Sequence, residues 1–497
     1  MTTDHIEQLM SERGASADPT ADSTRDAVDI NTVNVYEFMT HAEAGTGGFR
    51  TGTYLVPHDR EMFYRKRRQL AFYKNFTRPV LRAMIDPVFS EDAPRRVEND
   101  DGDTLDGLLW NAFLEDCDGA GHPLQTFTHE AMERGRLHGV TFVVVENFGE
   151  DEQPATKADA IDSRIYPYVY LQSAHTVDSY DTDRFGNLTR IAFAEPEREI
   201  DGNVVKVVRQ WTETEVQLFR VTGSGDKRKY ETIPGEEPVE HGLGLVPVVP
   251  VVFGRQSSCR KLLVDPPLYD IARINHAIYN KTSEMREIER AQEFAVFYVQ
   301  TDDAESISLG THNFLAIPTE TSVPPGFASP DPGTMTELRE NEKTIREDLF
   351  RIAEQQGVTG VTDQSGVAKQ WDFFAHESVL RVTSNKARTL EDRIAYIFRL
   401  WTGEQFFYMA EYPDDFSPAD KSGEVDTLDK LLLMELPPKA AALVREKAFR
   451  AQMADQDQVM VEEAVEQIRK AAEDETQAKR PTPEPPQQTP EPIPEGE

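Results

Sequence analysis

The chain has 497 residues, with 88 acidic and 53 basic residues for a formal charge of −35, and 38% of it is hydrophobic. That is enough apolar material for real cores in two to four domains, and it excludes a wholly disordered chain. Only two cysteines, Cys117 and Cys259, exclude a disulfide scaffold, and the densest apolar run, Val246–Phe253, contains prolines and falls far short of the ~20 residues of a membrane-spanning helix.

Residues 1–30 are polar and lack periodicity, which reads as a mobile arm, and Met1–Gly14 has no apolar core of the kind a signal peptide requires. Residues 60–90 read as helical and carry the basic cluster Arg65, Lys66, Arg67 and Arg68. Such a cluster either touches phosphates or forms a helix face paired with the chain's surplus acids. Gly107–His138 also reads as helical and leads into a strand, Val140–Glu146. Strands are expected at Tyr166–Leu171, Leu188–Ala194, Val204–Thr212 and Val216–Val221, with Asp183–Asn187 as a glycine-containing turn and Val246–Phe253 closing the region.

The pattern then changes to long helices. Leu268–Gln292 carries Ile271, Ile274, Ile278, Lys281, Met285, Ile288 and Gln292 at heptad spacing. A short β-containing insert, Phe294–Phe327, follows. Thr334–Gln356 repeats the heptad pattern through Met335, Leu338, Glu342, Ile345, Leu349, Ile352 and Gln356. A glycine-punctuated loop, Gly357–Lys369, precedes a third long helix from about Trp371 to Glu411, striped by Leu390, Ile394, Ile397 and Trp401. A last helical region runs from Leu428 to Glu475, interrupted at Pro437–Pro438, and Pro481–Glu497, with seven prolines in 17 residues, is expected to be extended and disordered.

Catalytic chemistry is hard to find. The Gly357–Lys369 loop lacks the G-x-x-x-x-G-K-[ST] spacing that wraps phosphates and follows a helix, not a strand. The cysteines have no zinc-like histidine spacing, so no metal is expected, and the acidic surroundings of Cys117 raise its thiol pKa, the wrong direction for a nucleophile. His376–Glu377 lacks a second histidine four residues on and reads as a surface pair. The acidity repels nucleic acid at long range, which argues against a sequence-reading DNA binder but not against a protein that DNA slides past. Lysines number only 17, and high acid with few lysines resembles proteins adapted to molar salt, where a Debye length of about 3 Å makes carboxylate repulsion cheap. An ordinary acidic protein fits the same composition.

Two charged amphipathic helices flanking a compact β insert, then a glycine loop and a third long helix, resemble the portal proteins of tailed double-stranded DNA viruses of bacteria or archaea. The likeness spans roughly residues 60–475 and lies in the order of segments: PYVYLQSAHTVDSYDTDRFGNLTRIAF as wing, PPLYDIARINHAIYNKTSEMREIERAQ as first stem helix, EFAVFYVQ and NFLAIPTETSVPPGF as clip, MTELRENEKTIREDLFRIAEQQGV as returning stem helix and TGVTDQSGVAKQWDF as tunnel loop. The resemblance implies an α+β, portal-like fold. Its parts are an arm (1–30), a wing (31–265), a first stem helix (266–292), a clip (293–331), a second stem helix (332–356), a tunnel loop (357–371), a long helix with wing return (372–427), a helical crown (428–475) and a tail (476–497).

It further implies a non-enzymatic, cofactor-free dodecameric ring at one capsid vertex of the virion, assembled in the host cytoplasm and not in a membrane. DNA would be packaged and ejected through it. Its partners would be further copies of the chain, the passing viral DNA, the terminase, the head–tail adaptor, the major capsid protein and a scaffold. Gly357, Gly360, Gln364, Ser365, Gly366 and Lys369 would face the DNA. Phe294, Phe297, Tyr298, Phe314 and Phe327 would form the adaptor and terminase surface. Ile271, Ile274, Ile278, Met285, Ile288, Leu338, Ile345, Leu349 and Ile352 would form the stem seam. Two other readings remain open: another structural ring, connector or minor head protein, and an acidic multidomain enzyme of a halophile with residues 107–260 as its catalytic part.

Overall fold

The computed structural model describes residues 27–58, 61, 64–99, 103–105, 107–148, 154, 156–200, 203–223, 228–293, 296–300, 314–317, 326–328, 332–353, 366–414, 416, 438–452, 464, 465 and 467–471. The chain divides into two compact units, residues 1–416 and 417–497. The first holds α1 (Val35–Ala44), α2 (Gly47–Thr51), α3 (Tyr64–Leu70), α4 (Thr77–Ala83), β1 (Arg95–Glu98), α5 (Leu109–Glu115), α6 (Leu124–His138), β2 (Val140–Glu146), α7 (Lys157–Ser163) and β3 (Tyr168–Ser173). Then come β4 (Val177–Thr182), β5 (Leu188–Ile200), β6 (Asn203–Thr212), β7 (Glu215–Thr222), β8 (Lys229–Thr232), β9 (Val239–Glu240) and β10 (Val248–Val252). The long elements follow: α8 (Tyr269–Glu293), β11 (Val296–Gln300), β12 (Phe314–Ile317), β13 (Gly326–Ala328), α9 (Pro332–Ile352), α10 (Gly366–Thr402) and β14 (Phe407–Ala410). The second unit holds α11 (Pro438–Gln452), opened by a proline where a missing N–H costs nothing, and an ion pair between Arg469 and Glu446. The fold class is α+β.

Strand β2 organises the core. Its sequence VTFVVVE is mostly apolar and buried from Val140 to Val145 because it is the middle strand of the antiparallel sheet β10-β2-β3 and is covered on both faces. Val143 and Val145 join the main cluster, which collects Phe38, Trp110, Phe113, Ile278 and Phe398. The alternate residues Val140, Phe142 and Val144 join a second cluster with Ile191, Phe193 and Trp211 under a larger second sheet. That sheet is an antiparallel meander, β4-β5-β6-β7-β8, with β9 pairing β7.

Several elements depart from their sequence expectations. Residues 28 and 30, expected within the arm, are held in place: the Val28 N–H bonds the Thr53 carbonyl and Ile30 is buried. The expected 60–90 helix breaks into α3 and α4 because a distant side chain, Asn275, captures the backbone at Phe76 and Thr77. Gly107–His138 splits at residues 116–123, where Asp116 and Asp118 side chains accept from the N–H groups of Gly119, Ala120 and Gly121. The third long helix runs from Gly366 to Thr402, not from Trp371 to Glu411. It stops at Gly403 (φ +71°), and β14 then pairs with β1, which lies far earlier in the chain. No helix of the described residues is long and apolar enough to cross a membrane.

Candidate functional site

The foot of α8 is fixed by polar residues of its own buried face. The Asn275 side-chain oxygen accepts from the Tyr73 hydroxyl (2.7 Å) and from the N–H groups of Phe76 (2.9 Å) and Thr77 (3.2 Å), while its amide donates to the Lys74 carbonyl at 2.8 Å. Asn275 thereby caps α4, whose own N-cap, Phe76, supplies no side-chain bond. Further along, His276 Nε2 donates to the Tyr54 carbonyl (2.7 Å), the Tyr279 hydroxyl to the Phe49 carbonyl (3.1 Å), and Asn280 Oδ1 accepts from Val56 N–H (2.7 Å). Burial pushes the His276 pKa down, keeping the ring neutral.

Arg67, part of the basic cluster, completes this foot. Its buried guanidinium spans both Glu61 oxygens at 2.7 Å, the Val56 carbonyl at 2.7 Å and Ser283 Oγ at 3.0 Å. Burial alone would raise the Glu61 carboxyl, but the Arg67 bonds outweigh it and hold that group below the usual range. Arg68 donates to the Thr51 carbonyl. In Arg67 the cluster therefore meets acid rather than phosphate.

Helices α8 and α9 pack antiparallel. Arg339 near the start of α9 pairs with Glu289 near the end of α8 at 3.1 Å, and Phe350 near the end of α9 meets Phe76 beside Asn275. The heptad seam is only partly a separate surface. Ile271, Ile278 and Leu349 are enclosed by this chain's own core, with Ile274 and Ile345 packed against it. Met285, Ile288 and Leu338 are half-buried. Ile352 is 54% exposed, because the packed stripe of α9 steps from Leu349 to Ala353 at helical spacing. The seam expected to meet neighbouring subunits is thus intrachain at its foot, and Ile352 stands outside the stripe that this chain packs. Glu342, the charge in the α9 stripe, is buried with Lys74 Nζ 3.7 Å and Arg346 3.6 Å away.

Between the two helices lies the three-stranded sheet β12-β11-β13, parallel between β11 and β12 and antiparallel between β11 and β13. Its register sets Phe297 opposite both Phe314 and Phe327, so three of the five clip residues come to one row. Tyr298 pairs with Gly326, where an added Cβ would stand 2.7 Å from the tyrosine hydroxyl and the ring would have to shift. Phe327 is 69% exposed. Phe294 lies outside the described residues, as do Gly357, Gly360, Gln364 and Ser365. Gly366 and Lys369, expected in the loop, stand in the first turns of α10.

The remaining candidates are structural. Glu377 is not a surface residue but is buried and bound to Arg381 of the next turn at 2.7 Å. Burial, and then the Asp118 charge, pushes the Cys117 thiol well up. Sequence reading missed the buried node around Glu391 of α10. This carboxylate accepts from Arg95 (2.8 and 3.2 Å), Thr128 (3.0 Å), Tyr408 (2.5 Å) and Tyr412 (2.6 Å), tying α10 to β1, α6 and β14. Burial and the Glu391 charge push both phenols far above their ordinary range. No signal in the sequence distinguishes Glu391 from the other acids.

No family model matches the chain, and no curated protein matches it. Among solved structures it is similar to a chain of the neck of a native gene transfer agent particle computed with C12 symmetry, at 9% identity and a TM-score of 0.40, over 74% of this chain and 88% of that one. It is similar to a chain of the neck of the empty particle computed with C6 symmetry, at 10% identity and a TM-score of 0.41, over 74% and 88%. It is also similar to a chain of the native gene transfer agent virion, at 11% identity and a TM-score of 0.39, over 83% and 99%.

Proposed function

We propose that this chain is the subunit of a portal-type ring, a structural and non-enzymatic conduit for double-stranded DNA at one vertex of a tailed-virus capsid. The observation that carries the reading is the antiparallel pair α8–α9, rooted in the main core at one end and joined at the other through the small sheet β11–β13. In a single copy α9 buries a thin stripe, Met335, Glu342, Leu349 and Ala353, and leaves charged residues of both signs exposed. A helix of this kind gains a second packing surface when copies close into a ring through a heterologous interface. A ring built from chains of charge −35 has no tight hold on a polyanion, which suits passage rather than binding.

In this reading the ring is dodecameric, residues 357–365 with Lys369 border the DNA path, and the sheet with exposed Phe327 receives first the terminase and then the head–tail adaptor. Replacing residues 357–365 by a Gly-Ser linker leaves ring assembly intact and impairs DNA packaging or retention. Sedimentation of the variant beside a packaging assay checks this, and loss of the ring itself would assign the segment a structural role instead.

A further inference from the structure

Two cations of the first unit share one aromatic ring, and among the described residues neither is paired with an acid. Arg136, at the end of α6, places its guanidinium carbon 4.4 Å from the centre of the Phe253 ring, and Lys386 of α10 places Nζ 5.3 Å from the same centre. The ring is pressed onto Gly135, where an added Cβ would lie 3.0 Å from it. Arg136 donates one bond, from Nη2 to Thr383 Oγ1 at 3.0 Å, and its Nε is enclosed with no hydrogen-bond partner. Burial lowers the Arg136 pKa to about 10 with no carboxylate opposing it, and burial together with the Arg136 charge lowers that of Lys386. Arg136 remains charged at neutral pH.

The contrast with other enclosed arginines is sharp. Arg67 meets Glu61, Arg95 meets Glu391, and Arg209 meets Glu146 and Glu195. In a chain with 88 acidic residues, two adjacent cations with no described carboxylate in ion-pairing reach stand apart. Enclosed charge without a counter-ion is costly, and one carboxylate, with four lone-pair sites, can serve a guanidinium and an ammonium together.

We propose that Arg136 and Lys386, set over Phe253, form a docking site for an acidic side chain of a second copy of this chain. The inference rests on the ring reading and names one of its contacts. A heterologous interface sets one patch of a copy against a different patch of its neighbour, so the acid need not sit near this site in its own chain. The strongly acidic surface of a neighbouring copy supplies carboxylates on flexible stems that reach a recessed position.

The test uses the full chain with Arg136→Met, Lys386→Met and both together. Sedimentation velocity reads assembly across a salt series, thermal denaturation reads the dissociated chain, and anisotropy reads binding of a short DNA duplex. The proposal expects the double variant to associate about tenfold more weakly or worse, with the Tm of the dissociated chain unchanged or raised. Should Arg136→Met fail to fold, Lys386→Met alone, at a half-exposed position, carries the test. Undiminished assembly of the variants beside an assembling wild type overturns the proposal and leaves the ring reading standing. A Tm that falls in step with assembly makes the pair structural, and loss of duplex binding alone makes it a phosphate site; both overturn it. A wild type that stays a single chain at every salt concentration overturns the ring reading and this inference together.

Discussion

Two buried glutamates in two long helices are treated in opposite ways. Glu391 of α10 has no exposure and accepts five hydrogen bonds from Arg95, Thr128, Tyr408 and Tyr412. Glu342 of α9 is nearly as enclosed, yet its cations stand 3.6–3.7 Å away and its Oε1 has no hydrogen bond. The first is a finished node that locks α10, β1, β14 and α6 into one body. The second belongs to a helix that the single copy only partly packs. The difference separates a region complete in itself from one whose remaining faces are left to water or to neighbouring copies.

Removing the finished node should cost most. Glu391→Ala leaves Arg95 without its counter-ion and is expected to destabilise by about 3–5 kcal/mol in a denaturant titration, whereas Glu342→Leu is expected to be neutral or mildly stabilising. Equal losses at both sites would erase the distinction. The α9 stripe sharpens it further. Leu349→Ala should cost about 2–4 kcal/mol and Ile352→Ala under about 0.5, although both hold heptad positions. If Ile352→Ala proved as costly to the isolated chain, the packed stripe would follow the heptad after all.

The body also carries a buried histidine. His138 accepts or donates to Thr40 at 3.0 Å and Ser173 at 3.3 Å, and burial, with smaller contributions from His175 and Arg134, lowers its pKa from 6.5 to about 4. The unfolded chain therefore binds this proton first. The stabilisation is whole above pH 6.5 and is lost as pH falls towards 4, up to roughly 3 kcal/mol at the acid end. Stability measured at pH 7 and pH 5 should drop more for the wild type than for His138→Gln. Parallel pH curves would remove His138 from the account.

The strands of the large antiparallel sheet and the long helices were legible because their signals are local. β2 matched Val140–Glu146 residue for residue, β6 differed by one residue at one end and β7 by one at each end, and α8 was displaced by one residue. What escaped depends on partners far apart in sequence. β14 exists by pairing with β1 some three hundred residues earlier, and the break between α3 and α4 is set by Asn275 about two hundred residues later. Overextending the third helix to Glu411 overlooked the stop at Gly403. The polar nodes were illegible for the same reason: Arg95 and Glu391 look like any other charges until the fold joins them. The row of Phe297, Phe314 and Phe327 could be suspected as aromatic, but only strand register brings it together.

The most direct test of the central claim is electron microscopy of the purified chain in low and in molar salt. The account predicts rings with a central channel and twelvefold symmetry, and their appearance only in molar salt would tie the acidic composition to assembly. Single chains or dimers in both conditions would contradict it.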